Sequence, residues 1–215
     1  DPDLTELKQL NAATTGAIKI NTQSKTYSGS ASNLAAALAG TVTNGAGAAL
    51  SGAMTVSDND NTAVAATDLS TIGGATTGTV TVTHAVAISG TASDLKAALV
   101  TGASKVEVSD AAVTISDGDN TSIAASDLSN IGSATTGTVT VTHAINVTGT
   151  ADEAVVALHD TATKVEVTDA VVTLSDDPDL TELKQLNAAT TGAIKINTQS
   201  KTYSGSASNL AAALA

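Results

Sequence analysis

Residues 79–102, TVTVTHAVAISGTASDLKAALVTG, and residues 104–120, SKVEVSDAAVTISDGDN, contain the pattern that decides the fold. Apolar and polar residues alternate in both stretches, so that Val80 and Val82 share one face of the chain and threonines occupy the other. An alternation with a period of two predicts β-strands that bury one face. The same plan recurs along the whole chain, which indicates an array of similar modules.

Two short helices are predicted between these strands. Residues 92–101 place Leu95, Ala98 and Leu99 on one face and precede Gly102, a residue suited to ending a helix. A second helix is predicted over residues 121–131, with Gly132 as its C-cap. Helices of this length are marginal in water, so both are expected to depend on packing.

The repeat is marked by the motif ATTG, whose glycines are Gly16, Gly78, Gly137 and Gly192. Successive glycines are 62, 59 and 55 residues apart, which gives a unit of about 59 residues. The units are predicted at 1–66, 67–126 and 127–176, followed by a partial unit at 177–215. This last segment is identical to residues 1–39, so either the array has a three-unit super-repeat or the first segment has been duplicated.

Each unit divides into two similar halves of about 29 residues, and each half reads as strand, bend, strand and short helix. The predicted fold class is an α/β repeat: a parallel β-solenoid with short helices, about 29 residues per coil and two unlike coils per unit, over residues 1–215. Strands stack about 4.8 Å apart and helices about 8–10 Å apart. The array must therefore curve, place successive helices on alternate sides, or reduce its helices to single turns. Pairs of unlike halves favour alternation.

Composition narrows the functional classes. The chain has two Tyr, no Phe, no Trp and no Cys, so its core must consist of thin layers of small aliphatic side chains. A net charge of −12 without a basic stripe argues against nucleic acid as a partner. No apolar run is long enough to span a bilayer, which predicts no membrane insertion. No catalytic motif is recognisable, and GGATTG at residues 73–78 is interpreted as turn chemistry, so an enzyme is not expected.

Acidic turns are the best candidate sites. They occupy residues 58–61 (DNDN), 117–120 (DGDN) and 176–179 (DDPD), each between a strand and the start of a helix. Alternating carboxylates on such a turn can bind calcium, although no Glu completes a twelve-residue loop. The simpler interpretation is that these residues cap helices and form turns. No cofactor is predicted beyond this calcium hypothesis.

Two other features have simple structural interpretations. Outward threonines such as Thr79, Thr81 and Thr83 could form a hydroxyl lattice for ice or a crystal surface, but Glu107 and Glu166 are expected to interrupt it. His84 and His143 are equivalent residues one unit apart. Their expected separation of about 10 Å is too great for a shared metal ion, so a structural role is favoured.

The units built on ATTGTVTVT, ISGTASDLKAAL and KVEVSDAAVTISD resemble the tandem repeats of very large bacterial, particularly cyanobacterial, cell-surface proteins. The resemblance implies an extracellular or cell-surface protein: a filament, stalk or adhesin segment. Unpaired strand edges at the two ends of the solenoid predict self-assembly from head to tail. The alternative function is a calcium-dependent module that binds a glycan or another surface through the acidic turns.

Overall fold

The computed structural model describes residues 1–197 and 201–214. The chain has an α/β fold with parallel sheets, as the sequence predicts. It divides into two compact units, Asp1–Val113 and Thr114–Ala215, and each is described by itself. The repeat boundaries derived from the sequence stay a prediction.

Unit 1 alternates short helices with short strands. Its elements are α1 (Leu4–Ala13), β1 (Ile18–Ile20), β2 (Tyr27–Gly29), α2 (Ala31–Leu38), β3 (Val42–Asn44), β4 (Met54–Val56), β5 (Ala63–Ala65), α3 (Ala66–Ala75), β6 (Val80–Val82), β7 (Ala87–Gly90), α4 (Ala92–Leu95) with a π-helical turn (Lys96–Val100), and β8 (Val106–Glu107). Strand β9 (Ala112–Ile115) begins in unit 1 and ends in unit 2. Parallel pairing joins β1 to β3 and β5 to β7, and it builds a four-stranded sheet in the order β2-β4-β6-β8.

Unit 2 repeats this organisation. Its further elements are β10 (Ser122–Ala124), α5 (Ala125–Ser133), β11 (Val139–Val141), β12 (Asn146–Gly149), α6 (Ala151–Leu158), β13 (Val165–Glu166), β14 (Val171–Leu174), α7 (Leu180–Ala189), β15 (Ile194–Lys195) and α8 (Ala207–Leu214). Parallel pairing joins β11 to β13 and builds a four-stranded sheet in the order β10-β12-β14-β15.

Paired strands are closer in sequence than one predicted coil. The shortest step brings Val172 opposite Ile194, and the longest brings Tyr27 opposite Met54. A predicted 59-residue repeat is therefore longer than two pairing steps. As a result, equivalent strands of successive 59-residue repeats join different sheets. Strand β6 lies between β4 and β8, whereas its equivalent β11 pairs with β13.

The core consists of small aliphatic side chains, as the composition requires. Val80 and Val82 are buried on one side of β6, which confirms the predicted face. Each helix contributes a narrow apolar face, represented by the fully buried Leu95 of α4 and Leu128 of α5. Such thin layers bury little area per residue, so each element depends on the elements packed against it.

The predicted helix boundaries need correction. Ser122–Ala124, expected to be helical, forms strand β10, and the helix begins only at Ala125. The helix predicted over residues 92–101 changes to a π-helical turn at Lys96. Most helices of the described residues have eight to ten residues, so they are not single turns.

Gly73 and Gly132 are helical, and their interpretation as a turn or a C-cap was wrong. Both lie within helices, α3 and α5, where the helix meets the backbone of a later segment. A Cβ atom at Gly73 would collide with the backbone of Ser104, and one at Gly132 with the backbone of Thr163. These glycines are needed because a backbone occupies the space of a side chain.

The two adjacent glycines of α3 offer a matched test. Gly73→Ala should lower the free energy of unfolding by about 1–3 kcal/mol, because the added methyl group displaces the Ser104 backbone. Gly74→Ala should raise it by up to about 1 kcal/mol, because Gly74 is exposed, faces open space and gains helix propensity. Denaturant melts of both variants check this prediction, and equal effects would contradict the packing role of Gly73.

Candidate functional site: acidic turns and exposed faces

The first acidic turn, residues 58–61, is hydrogen-bonded to two segments that are distant in sequence: the start of α2 and the bend between β6 and β7. Asp58 accepts a hydrogen bond from the backbone N–H of Ala31, the first residue of α2, at 2.6 Å. Asp60 accepts one from the backbone N–H of Ala85 at 3.1 Å, and the N–H of Asn61 donates to the Ala85 carbonyl at 2.8 Å. The turn therefore holds α2, which precedes it in sequence, and the bend at Ala85, which follows it.

The other two acidic turns repeat parts of this arrangement within unit 2. Asp119 accepts from the backbone N–H of Ala144 at 3.1 Å, and the N–H of Asn120 donates to the Ala144 carbonyl at 2.7 Å. Asp176 accepts from the N–H of Ala151, the first residue of α6, at 2.8 Å. Asp179 differs, because it caps its own helix α7 through a capping box with Glu182.

Left-handed backbone shapes the two turns that contain Asn. Asn61 and Asn120 have φ angles of 59° and 61°, a region that Asn adopts more readily than most residues. This conformation follows the acids and directs each Asn N–H to its partner carbonyl. The sequence indicated turns at these residues but not the distant segments to which they bind.

The helix starts that receive these carboxylates also have their own caps. In α2, the Ser30 hydroxyl accepts from the N–H of Asn33, while Asp58 takes the N–H of Ala31. In α6, Thr150 accepts from the N–H of Glu153, while Asp176 takes the N–H of Ala151. A carboxylate here satisfies an otherwise unpaired N–H and interacts favourably with the positive end of the helix dipole.

These contacts favour the structural role for the acidic turns. Asp58, Asp60, Asp119 and Asp176 bind backbone N–H groups, and Asp117 lies half-buried in the second turn. No group of three or more His, Asp or Glu side chains suited to a metal ion occurs among the described residues. Calcium binding stays a prediction.

The histidines lie at the bends that follow β6 and β11. The Nδ1 atom of His84 lies 3.0 Å from the Thr83 hydroxyl, and that of His143 lies 2.9 Å from the Thr142 hydroxyl. Both rings are exposed. Because β6 and β11 belong to different sheets, the separation expected from strand spacing along a single sheet does not apply to them.

The outward threonines do not form an uninterrupted row. Thr79, Thr81 and Thr83 are exposed, as the alternation predicts. However, the register places Thr81 beside Glu107 in unit 1, and Thr140 beside Glu166 in unit 2. Carboxylates therefore interrupt the hydroxyl rows at the predicted positions.

Two further surfaces are seen by comparing the identical segments, here called the first copy (1–39) and the second copy (177–215). The leading face of the first copy consists of Pro2, Glu6, Gln9, Leu10 and Ala13. Leu10 is 48% exposed there, whereas its counterpart Leu186 is fully buried. In the second copy α7 packs against α6, with Asp152 beside Glu182, and β15 pairs with β14. Thr190 also donates to the Ala170 carbonyl at 2.7 Å.

The opposite side of the second copy forms the trailing groove, a cavity of about 640 Å³ whose lining includes Leu183, Asn187, Ile194, Ile196 and Leu214. Leu214 is 64% exposed, whereas its counterpart Leu38 in the first copy is 2% exposed. Each side of the repeated segment is therefore covered in one copy and open in the other. Sequence identity revealed the segment, but only the two different environments reveal its faces.

An acidic pair lies where α6 meets α7. The N–H of Asp179 lowers the pKa of the Glu182 carboxyl, but loss of solvent and the nearby Asp152 side chain raise it, and the net direction is upward. A raised pKa in the folded state means that this group favours folding below the ordinary glutamate pKa and loses that contribution as the pH rises through the folded pKa. The raised pKa therefore makes the contribution of Glu182 to stability smaller at neutral pH than in acid.

Comparisons with protein-family models, with curated proteins and with solved structures found no match. Among the described residues, no helix combines the length and the apolar character needed to cross a bilayer.

The clamp predicts a loss of stability when Asp58 is removed. Asp58→Ala should lower the free energy of unfolding by about 1–2 kcal/mol, because the Ala31 N–H loses its acceptor. Asp110→Ala is the matched control, since Asp110 is exposed and accepts a local bond from the neighbouring Ser109. Thermal melts with and without calcium measure both effects. A calcium-dependent rise in Tm that Asp58→Ala abolishes would contradict a purely structural turn.

The acidic pair predicts a pH-dependent effect of Glu182→Gln. At neutral pH this substitution should raise Tm slightly, because it removes a carboxylate beside Asp152. Near pH 4 the gain should disappear, since the carboxyl is then largely protonated in both states. Glu6→Gln, at the equivalent residue of the first copy, is the control for the change to the capping box itself. A gain that is equal at both pH values would contradict the prediction.

Proposed function

We propose that the chain is a structural segment of an extracellular filament, stalk or adhesin, built as a parallel β-solenoid with short helices. Parallel pairing at similar short steps along the sequence, as between β2 and β4 and between β14 and β15, supports stacked passes of the chain. The acidic turns support the same role, because they use their carboxylates to join passes. The surface location rests on the resemblance to bacterial cell-surface repeats.

Self-assembly from head to tail is part of this proposal. The observation that carries it is the repeated segment, each side of which is covered in one copy and open in the other. The leading face exposes Leu10 and the trailing groove exposes Leu214, so each end of the chain offers an apolar surface to a second copy. A strand edge such as that of β15 can also accept a further strand.

The assembly proposal predicts that the mass of the protein grows with concentration. Leu214→Asp should suppress this growth, because it places a charge in the trailing groove. Val156→Asp is the matched control: Val156 is 45% exposed on α6, outside both faces, so its substitution should leave assembly unchanged. Light scattering and small-angle X-ray scattering measure the mass. A monomeric profile at high concentration would contradict self-assembly.

A further inference from the structure

The repeated segment shows which strand completes the trailing groove. In the first copy, β3 pairs with β1 in parallel register, with Ile18 opposite Val42 and Ile20 opposite Asn44. The N–H of Ile18 also donates to the Thr41 carbonyl at 2.9 Å. In the second copy, the corresponding strand β15 has β14 as its only neighbour among the described residues.

Side-chain burial follows the presence of this strand. Ile20 is 1% exposed beside β3, whereas its counterpart Ile196 is half-buried in the trailing groove. Leu38 and Leu214 differ in the same direction. Since the two segments have identical sequences, the contrast comes from their neighbours alone.

We infer that the trailing groove of one chain binds β3 of a second copy, whose own residues 1–39 are displaced. This segment exchange deepens the proposed self-assembly and rests on it. The incoming chain would place Ile194 and Lys195 opposite Val42 and Thr43, the register in which Ile18 and Lys19 lie within one chain. Because residues 177–215 replace an identical sequence, the native contacts of β3 are reproduced.

The first copy depends on the rest of the chain for its fold. Residues 1–39 contain helices of ten and eight residues, which are marginal alone, and fewer than about 40 residues rarely form a stable core. Their fold therefore depends on the interface with the following pass, as in other stacked repeats. A second copy provides the same interface with a segment that is already folded against β14.

Gly40 is suited to act as the hinge. It joins the first copy to β3, is exposed and has a φ angle of 73°. A Cβ atom there would meet only the Asn11 side chain, at 3.9 Å, so the residue lies in open space. Rotation at this glycine can redirect residues 1–39 away from β3 without moving a side chain of the hinge residue itself.

Cross-linking between two single-cysteine variants tests the exchange, because the chain has no cysteine of its own. Lys195→Cys in one chain and Thr43→Cys in the other are expected to give a cross-linked dimer with a short bis-maleimide, since paired strands lie about 5 Å apart. The same reagent on a chain carrying both Lys19→Cys and Thr43→Cys confirms the geometry within one molecule, where these residues are opposite.

A different pair separates exchange from simple docking. Faces that dock without displacement would bring β15 of one chain to β1 of the next, so Lys195→Cys would cross-link to Lys19→Cys and not to Thr43→Cys. That result would overturn the exchange and leave self-assembly intact. If neither pair reacts and scattering shows a monomer, both proposals fail.

Trypsin digestion of the unmodified protein gives an independent readout if a cysteine variant does not fold. Exchange releases residues 1–39, so cleavage at Lys8 and Lys19 should be faster in assemblies than in the monomer. The matched residues Lys184 and Lys195 lie in the second copy and should be cleaved more slowly in assemblies. Equal protection of Lys8 and Lys19 in both forms would overturn the exchange.

Discussion

The fold depends on carboxylates that bind backbone N–H groups of segments distant in sequence. Asp58 reaches Ala31, Asp60 reaches Ala85, and Asp176 reaches Ala151. This matters because short helices leave their first N–H groups unpaired, and a core without Phe or Trp has little apolar area with which to compensate. Polar contacts as well as packing therefore join these segments of the chain. Stability therefore depends on contacts between segments that are distant in sequence as well as on each helix and strand.

The sequence predicts the faces of the strands well and the connections poorly. Alternation identified the buried sides of Val80 and Val82, because a period of two depends only on local geometry. The length of the pairing step was missed, because bends set it and the residues with positive φ that help form them, such as Lys105 and Asn61, have no periodic pattern. Gly73 was misinterpreted for a related reason: its requirement comes from Ser104, which is distant in sequence.

The candidate site shows the same division. Asp and Asn before a helix predict a cap, and capping is the chemistry that the structure contains. Asp58 nevertheless caps α2, a helix that precedes it in sequence. A rule that considers only adjacent residues cannot identify that partner. The leading face and the trailing groove were accessible to sequence analysis only as a repeated segment. Their apolar residues, Leu10 and Leu214, are distinguished from Leu186 and Leu38 solely by what lies beside them.

The repeated segment also gives the protein two optical reporters. Tyr27 and Tyr203 are its only Phe, Trp or Tyr residues, and they are counterparts in the first and second copies. Tyr27 is 5% exposed and its hydroxyl donates to the Pro2 carbonyl at 3.2 Å. Tyr203 is half-buried, and its hydroxyl has no hydrogen-bond partner among the described residues. Ultraviolet emission of the unlabelled protein therefore arises from one sequence in two environments, and replacing either ring with Phe isolates the signal of the other.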